Sequence, residues 1–274
     1  MIRPGRLVLL GHPVSHSLSP AMQNAALSVA NIPVRYSVED VVSGELQTTL
    51  AWLAKQGAGG NVTIPHKEWA TRLMDRLSPV ASRIGAMNTF YTEDDGALVG
   101  DNTDVAGFGE LVQHALGGIP EGARFAVIGA GGAAAAVLAA VEMWSGCSAA
   151  VYARNEERAA KLAARFHDVA RIQSMSLGTA LDCDIVVNAT PVGLDDDEMP
   201  VPLSSLSRNA TVLDLVCRLG ETAWVRAARA SGRNASDGLP MLVGQGAAAF
   251  EIWFGIQPDR EAMWRAVKEA TGRT

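Results

Sequence analysis

Short, almost wholly apolar runs alternate along the chain with longer stretches that carry one polar face, a pattern that predicts strands interleaved with helices. In the N-terminal part, Leu7 to Leu10, Val34 to Val38 and Gly60 to Ile64 read as strands, and Gly44 to Lys55 reads as a helix. Ser19-Pro20 predicts another helix start, with Ser as N-cap and Pro at the first helical position. Phe90-Tyr91 and Ala97 to Val99 flank Glu93-Asp94-Asp95-Gly96, which predicts a hairpin. Further on, Arg124 to Ile128, Ala149 to Ala153, Asp184 to Ala189 and Thr211 to Leu215 are apolar enough for strands buried on both faces of a parallel sheet. Helices are expected between and after them at Glu156 to Phe166 and Glu221 to Ser231. The expectation is an α/β protein with a doubly wound sheet over residues 105 to 237 and a second α/β unit before it. A length of 274 residues suits two domains at roughly 150 residues each. The polar, glycine-containing stretch Gly100 to Gly107 is the expected boundary.

Composition narrows the classes. Apolar residues make up 48% and charged residues 19%, which supports a sizeable core and argues against disorder. Twenty-three Lys and Arg against 29 Asp and Glu leave a formal charge of −6, so a generic nucleic-acid binder is disfavoured, while a local site for one small anion stays open. The longest apolar stretches, such as Ala133 to Val141, fall far short of the roughly 20 residues that span a bilayer. The N-terminal apolar run is too short for a signal peptide. Three cysteines without a CxxC argue against a disulfide framework and against most structural zinc sites, so no metal is expected. A cytoplasmic globular protein is the expectation.

The middle of the chain carries GAGGAA, from Gly129 to Ala134, between the predicted strand at Arg124 to Ile128 and an alanine-rich helical stretch. Gly129, Gly131 and Ala134 fill the three small positions of a G-x-G-x-x-A dinucleotide-binding turn, for the tight turn, the approach to a pyrophosphate and the packing of helix on strand. A bare G-x-G-x-x-A also fits an ordinary glycine-rich turn, and the flanking strand and helix favour the nucleotide reading. The next strand ends in Arg154-Asn155-Glu156-Glu157-Arg158 rather than in the carboxylate that would meet a ribose 2′-hydroxyl. Guanidinium groups there suit a 2′-phosphate and favour NADP over NAD; the plainer alternative is that both arginines solvate a helix start. The acidic run Asp195 to Glu198 reads as a solvated loop.

Polar side chains crowd the ends of the N-terminal elements: Ser17, Ser19, Asn61, Thr63, Lys67, Asn88, Thr89 and Asp104. Hydroxyls, amides, one ammonium and one carboxylate suit a small polyhydroxylated acid held in a cleft against the nucleotide domain. Of these, Lys67 is the one ammonium and Asp104 the one carboxylate. The plainer alternatives are a surface lysine opening a helix after Pro65 and an aspartate capping the helix that follows it. His16 reads as ordering its loop, Trp253, Phe254 and Phe250 as core, and Cys147 and Cys183 as buried fillers.

Seven segments in order resemble the shikimate dehydrogenases, across nearly the whole chain. They are GHPVSHSLSP (Gly11 to Pro20) with Asn24, NVTIPHK (Asn61 to Lys67), GAMNT (Gly85 to Thr89), GDNTD (Gly100 to Asp104), GAGGAA, NATPVG (Asn188 to Gly193) and GLPMLVGQGAAAFEIW (Gly238 to Trp253). The resemblance implies reversible NADPH-dependent reduction of 3-dehydroshikimate to shikimate in aromatic amino-acid biosynthesis. It implies an N-terminal α/β substrate domain of residues 1–103 with 239–274, a Rossmann-type NADP-binding domain of residues 104–238, and an active-site cleft between them. It assigns Ser17 and Ser19 to the substrate carboxylate, Asn61, Thr63, Asn88, Asp104 and Gln245 to ring hydroxyls, and Lys67 with Asp104 to catalysis. On the cofactor side it assigns Gly129, Ala130, Gly131, Gly132 and Ala133 to the pyrophosphate, and Arg154, Asn155 and Arg158 to the 2′-phosphate. Thr190, Pro191, Val192, Gly238 and Met241 fall toward the ribose and nicotinamide. The family includes monomers and homodimers.

Two departures stand out. The family often has a DxxY segment after the fifth nucleotide-domain strand, and this chain has Asp214-Leu215-Val216-Cys217. Ala153-Arg154-Asn155 replaces the usual Asn-Arg-Thr, so a phosphate-binding hydroxyl is lost. They leave open a relative acting on quinate or an amino-shikimate, with a relaxed NAD/NADP preference. A nucleotide-binding regulator without turnover is the reading from another class, and the presence of both Lys67 and Asp104 argues against it.

Overall fold

The structure, a computed structural model, describes residues 4–167, 173–175 and 181–273. The chain divides into two compact units: one runs to Asp104 and resumes at Val243, and the other is Val105–Leu242.

The first unit contains β1 (Leu7–Gly11), α1 (Ser19–Val29), β2 (Tyr36–Asp40), α2 (Leu46–Ala54), β3 (Gly59–Val62), α3 (Lys67–Ala70), β4 (Arg76–Leu77), α4 (Pro79–Ile84), β5 (Thr89–Thr92) and β6 (Leu98–Asp101). Its six-stranded sheet has the order β2-β1-β3-β5-β6-β4. β1, β2 and β3 are parallel, whereas β5 runs antiparallel to both β3 and β6. The C-terminal ends of β1, β3 and β6 therefore share one edge of the sheet with the N-terminal end of β5. Val8 and Leu10 of β1 pack with Leu46, Leu50 and Leu53 of α2 and with Phe90, all buried. Gly60 is required where it stands, because a Cβ there would lie 2.0 Å from the carbonyl oxygen of Val8.

Two sequence expectations shift here. The strand expected at Val34 to Val38 starts at Tyr36, because the Val34 N–H donates to the Ile32 carbonyl at 2.8 Å and closes a tight turn. Ser19 is not the cap of α1: it is the first helical residue, Leu18 holds the N-cap position, and Ser17 Oγ accepts from the Ser19 N–H at 3.2 Å.

The second unit takes up the chain in α5 (Asp104–Leu116). It continues with β7 (Arg124–Ile128), α6 (Gly132–Glu142), β8 (Ser148–Tyr152), α7 (Glu156–Arg165), β9 (Gln173–Met175), β10 (Ile185–Asn188), β11 (Thr211–Asp214), α8 (Ala223–Ala230) and β12 (Ala235–Ser236). All its strands are parallel in the order β12-β11-β10-β7-β8-β9, the doubly wound arrangement whose switch point falls between β7 and β10. Ala134 to Val141 on α6 are all buried, so the helix is apolar nearly all round because both sides are covered. The exposed helices α7 and α8 are amphipathic and capped by Asn155 and Thr222. Then α9 (Leu239–Phe254) returns the chain to the first unit, where α10 (Arg260–Ala270) packs on α1.

Phe250, Trp253 and Phe254 are buried core residues, and so are Cys147 and Cys183. All three cysteines are free. Among the described residues no helix is long and apolar enough to cross a membrane, and no group of His, Cys, Asp and Glu is placed to hold a metal ion.

Candidate active site

The shared edge of the first unit's sheet carries a dense polar cluster. Asn61, Thr89 and Asp101 stand side by side in the ladders of β3, β5 and β6. Lys67 opens α3 with its side chain 18% exposed, and its Nζ donates to Asp104 Oδ2 at 2.5 Å. The other oxygen of that carboxylate accepts from Asn88 Nδ2 at 2.8 Å. The Asp104 N–H donates to Asn102 Oδ1 at 3.0 Å, so Asp104 begins α5 while its carboxylate turns to Lys67 and Asn88. Asn88 Nδ2 also faces Gln245 Oε1 at 3.4 Å, which brings α9 into the cluster. Such a pair puts a proton-bearing ammonium against a fixed carboxylate with little water, the arrangement that proton transfer to a developing oxyanion requires.

The remaining expected substrate residues stand on the loops that leave this edge. Ser17 is half-buried, Ser19 is buried at the start of α1, and Thr63 is half-buried after β3. The histidines take other roles. His66 is buried and donates through Nε2 to the Val41 carbonyl at 2.6 Å, and His12 pairs with Asp40 at the exposed edge.

In the second unit, the loops after β7 and β10 flank the switch point. Gly129 has φ +123°, and a Cβ there would lie 2.7 Å from the Ala189 carbonyl oxygen, so only glycine fits the turn. Gly131 is the N-cap of α6 and has open space around it. Ala130, Gly131, Gly132 and Ala133 are half-buried at that helix N-terminus, where unpaired N–H groups and the helix dipole favour an anion. Arg154 and Arg158 follow β8 with exposed side chains, and Asn155 Oδ1 accepts from the Arg158 N–H at 2.9 Å as a helix cap. A glycine cradle, an anion-attracting helix end and two guanidinium groups fit a phosphorylated dinucleotide.

The segment Thr190 to Val192 rests on a buried network that the sequence alone did not reveal. Asn188 Oδ1 accepts from the Thr190 N–H and Oγ1–H, and its Nδ2 donates to the Val192 carbonyl at 3.1 Å and to Asp214 Oδ1 at 2.9 Å. Asp214 also accepts from Thr222 Oγ1 and the Val216 N–H. The register pairs Asn188 with Asp214 at the ends of neighbouring strands, and only this pairing could have signalled the contact. The acidic loop Asp195 to Glu198 is also tied down: Arg218 donates to the carbonyls of Gly193 and Asp196, and Arg226 pairs with Asp197. Gly238 lies against β11's exit, where a Cβ would meet the Leu215 carbonyl at 2.5 Å and Cys217 Sγ at 2.8 Å, and Met241 is buried on α9.

Burial pushes the Asp214 carboxyl up to about 6, against the opposing pull of its three donors. A carboxyl with a raised pKa binds more protons in the folded than in the unfolded chain. Its stabilising contribution is therefore complete below the unfolded value near 3.8 and is lost as pH rises through about 6. Asp214→Asn is expected to remove this loss, so that urea melts favour the variant increasingly between pH 4 and pH 7, by about 2 kcal/mol. Parallel pH profiles for the two proteins would rule the effect out.

An all-parallel doubly wound sheet with an anion-attracting turn, and a lysine–aspartate pair beside buried amides, fit the class of nicotinamide-dependent α/β oxidoreductases. Comparison with known proteins makes the class specific. Residues 9–90 match the shikimate dehydrogenase substrate binding domain, and residues 238–268 match the shikimate 5'-dehydrogenase C-terminal domain. The chain is 40% identical to the shikimate dehydrogenase (NADP(+)) of Moorella thermoacetica, over 98% of this chain and 94% of that protein. It superposes with a TM-score of 0.88 on the Thermus thermophilus shikimate 5-dehydrogenase solved with NADP(H) and shikimate, at 39% identity and covering 97% and 99% of the two chains. The quinate dehydrogenase of Corynebacterium glutamicum, solved with NAD, superposes at 0.87 with 28% identity, covering 97% and 99%. The chain belongs to the shikimate dehydrogenase family.

Proposed function

We propose that this chain is an NADP-dependent oxidoreductase that interconverts 3-dehydroshikimate and shikimate, with Lys67 and Asp104 as its catalytic pair. The carrying observation is the 2.5 Å contact between the Lys67 ammonium and the Asp104 carboxylate, set among buried amides at one sheet edge. When bound, the cofactor supplies the hydride. Lys67 donates a proton to the ketone oxygen as negative charge gathers there, and in the oxidative direction it accepts that proton back from the hydroxyl. Asp104 keeps the ammonium oriented and offers its oxygens to an adjacent hydroxyl. Ser17 and Ser19 present hydroxyls to the substrate carboxylate, and Asn61, Thr63, Asn88 and Gln245 address the ring. The Gly129-to-Ala133 turn would hold the pyrophosphate. Arg154, Asn155 and Arg158 would hold the 2′-phosphate, and Thr190, Pro191, Val192, Gly238 and Met241 would line the ribose and nicotinamide end. A cytoplasmic monomer or homodimer completes the reading, and three free cysteines suit that reducing compartment.

The test is an absorbance assay of cofactor reduction with shikimate or quinate, each paired with NADP or NAD. Shikimate with NADP is expected to dominate. Turnover mainly with quinate, or mainly with NAD, would make Cys217 and the Ala153-Arg154-Asn155 segment markers of a changed specificity and overturn the assignment.

A further inference from the structure

Tyr36, the first residue of β2, is 1% exposed, and its Oη donates to Asn61 Oδ1 at 2.7 Å. Burial pushes the phenol far above the usual tyrosine range, so this hydroxyl keeps its proton and remains a donor. Its ring lies 6.1 Å from that of Trp253, whose indole N–H is anchored on the Phe90 carbonyl at 3.1 Å.

The orientation of the Asn61 amide follows from its partners. On the side away from Tyr36 it meets the main-chain carbonyl of Asn88 at 3.0 Å and Thr89 Oγ1 at 3.0 Å. A carbonyl only accepts, so the atom facing it must be Nδ2; a flipped amide would set two acceptors against each other. Both Nδ2 hydrogens are thus used within the protein. One lone pair of Oδ1 takes the Tyr36 proton, and among the described residues nothing occupies the other. The neighbouring Asn88 is fixed the same way, since its Oδ1 accepts from the Thr103 N–H at 2.8 Å and its Nδ2 donates to the Asp104 carboxylate.

We propose that Tyr36 is a positioning residue that holds Asn61 as a pure hydrogen-bond acceptor, so that this position selects a ring hydroxyl and rejects a carbonyl or ether oxygen. The inference rests on the proposed placement of substrate against Asn61 and adds how that contact discriminates. An amide free to flip can greet either a donor or an acceptor. One locked by an obligate donor on one side and an obligate acceptor on the other cannot.

Tyr36→Phe keeps the ring and removes only the donor. The KM for shikimate is expected to rise about 3- to 10-fold, the worth of one hydrogen bond, with the KM for NADP unchanged. In an Asn61→Ala background the same substitution should add nothing further. Among the mono-O-methyl ethers of shikimate used as competitive inhibitors, the parent enzyme should discriminate most strongly against the one whose oxygen meets Asn61. Tyr36→Phe should narrow that gap. Thr89→Val, which releases one Asn61 N–H from the opposite side, should narrow it as well, so the idea stays testable even if the phenylalanine variant misfolds. Equal rises in both KM values, or additive effects of Tyr36→Phe and Asn61→Ala, would reduce Tyr36 to a packing residue and overturn the proposal. A parent enzyme inert toward shikimate would instead sink the substrate assignment itself.

Discussion

Lys67→Ala is expected to lower turnover of shikimate with NADP by about 10²–10⁴-fold, the usual worth of a general acid–base group. The geometry argues for the upper part of that range. The Lys67 side chain is only 18% exposed and the Asp104 side chain 5%, so little water stands ready to replace the lost ammonium. Removing it also leaves the Asp104 carboxylate buried with Asn88 as its remaining side-chain donor. The proposed role of Lys67 is toward the substrate's oxygen and not toward the cofactor's phosphates, so the KM for NADP should hardly change. Steady-state kinetics with both substrates varied provides the check. A kcat within about threefold of the parent would remove Lys67 from proton transfer.

Arg154→Ala should weaken NADPH binding about 10- to 100-fold, the range for losing a charged hydrogen bond to phosphate, and leave NADH binding nearly unchanged. Only one of the two cofactors carries the additional phosphate. The guanidinium stands at the exit of β8, and among the described residues no ion pair or hydrogen bond occupies it. Nor does a carboxylate follow the strand, where Ala153 stands. Arg158 lies in the first turn of α7 rather than at the strand's exit, and the Asn155 side chain carries no charge, so neither duplicates the Arg154 guanidinium. Fluorescence titration of both reduced cofactors distinguishes the outcomes, and equal losses for the two would leave Arg154 as a general surface charge.

The apolar runs at Leu7 to Leu10, Arg124 to Ile128 and Asp184 to Ala189 could be read as strands because burial on both faces demands continuous hydrophobicity. The hairpin at Glu93 to Gly96 was equally legible, and Gly96 does take a positive φ of 85° between β5 and β6. By contrast β12, only Ala235–Ser236, has no pattern of its own and exists because β11 offers it a ladder. Ser19 misled because the helix begins one residue earlier than expected: Leu18 holds the N-cap position, and its carbonyl accepts from the Met22 N–H. Within the site, residue types were readable from motifs, but partnerships across the fold were not. Nothing in the spacing of Tyr36 and Asn61, or of Arg218 and the acidic loop, announces that the fold joins them. Asp214 was visible as a motif position, and its burial, which governs its protonation, was not.

The first unit is assembled from both ends of the chain, and this gives its construction an order in time. During synthesis the strands of its sheet emerge first, then the whole of Val105–Leu242, and only at the end the part of α9 that carries Gln245 and Trp253. The doubly wound unit has all its strands in one continuous stretch and can fold as soon as it leaves the ribosome. Asn88 and Phe90 must wait for partners encoded more than a hundred residues later, and α1 must wait for α10. A nascent chain therefore holds a finished doubly wound fold before the polar cluster at the first unit's sheet edge is closed, and α9, among the last elements translated, supplies Gln245 to that cluster.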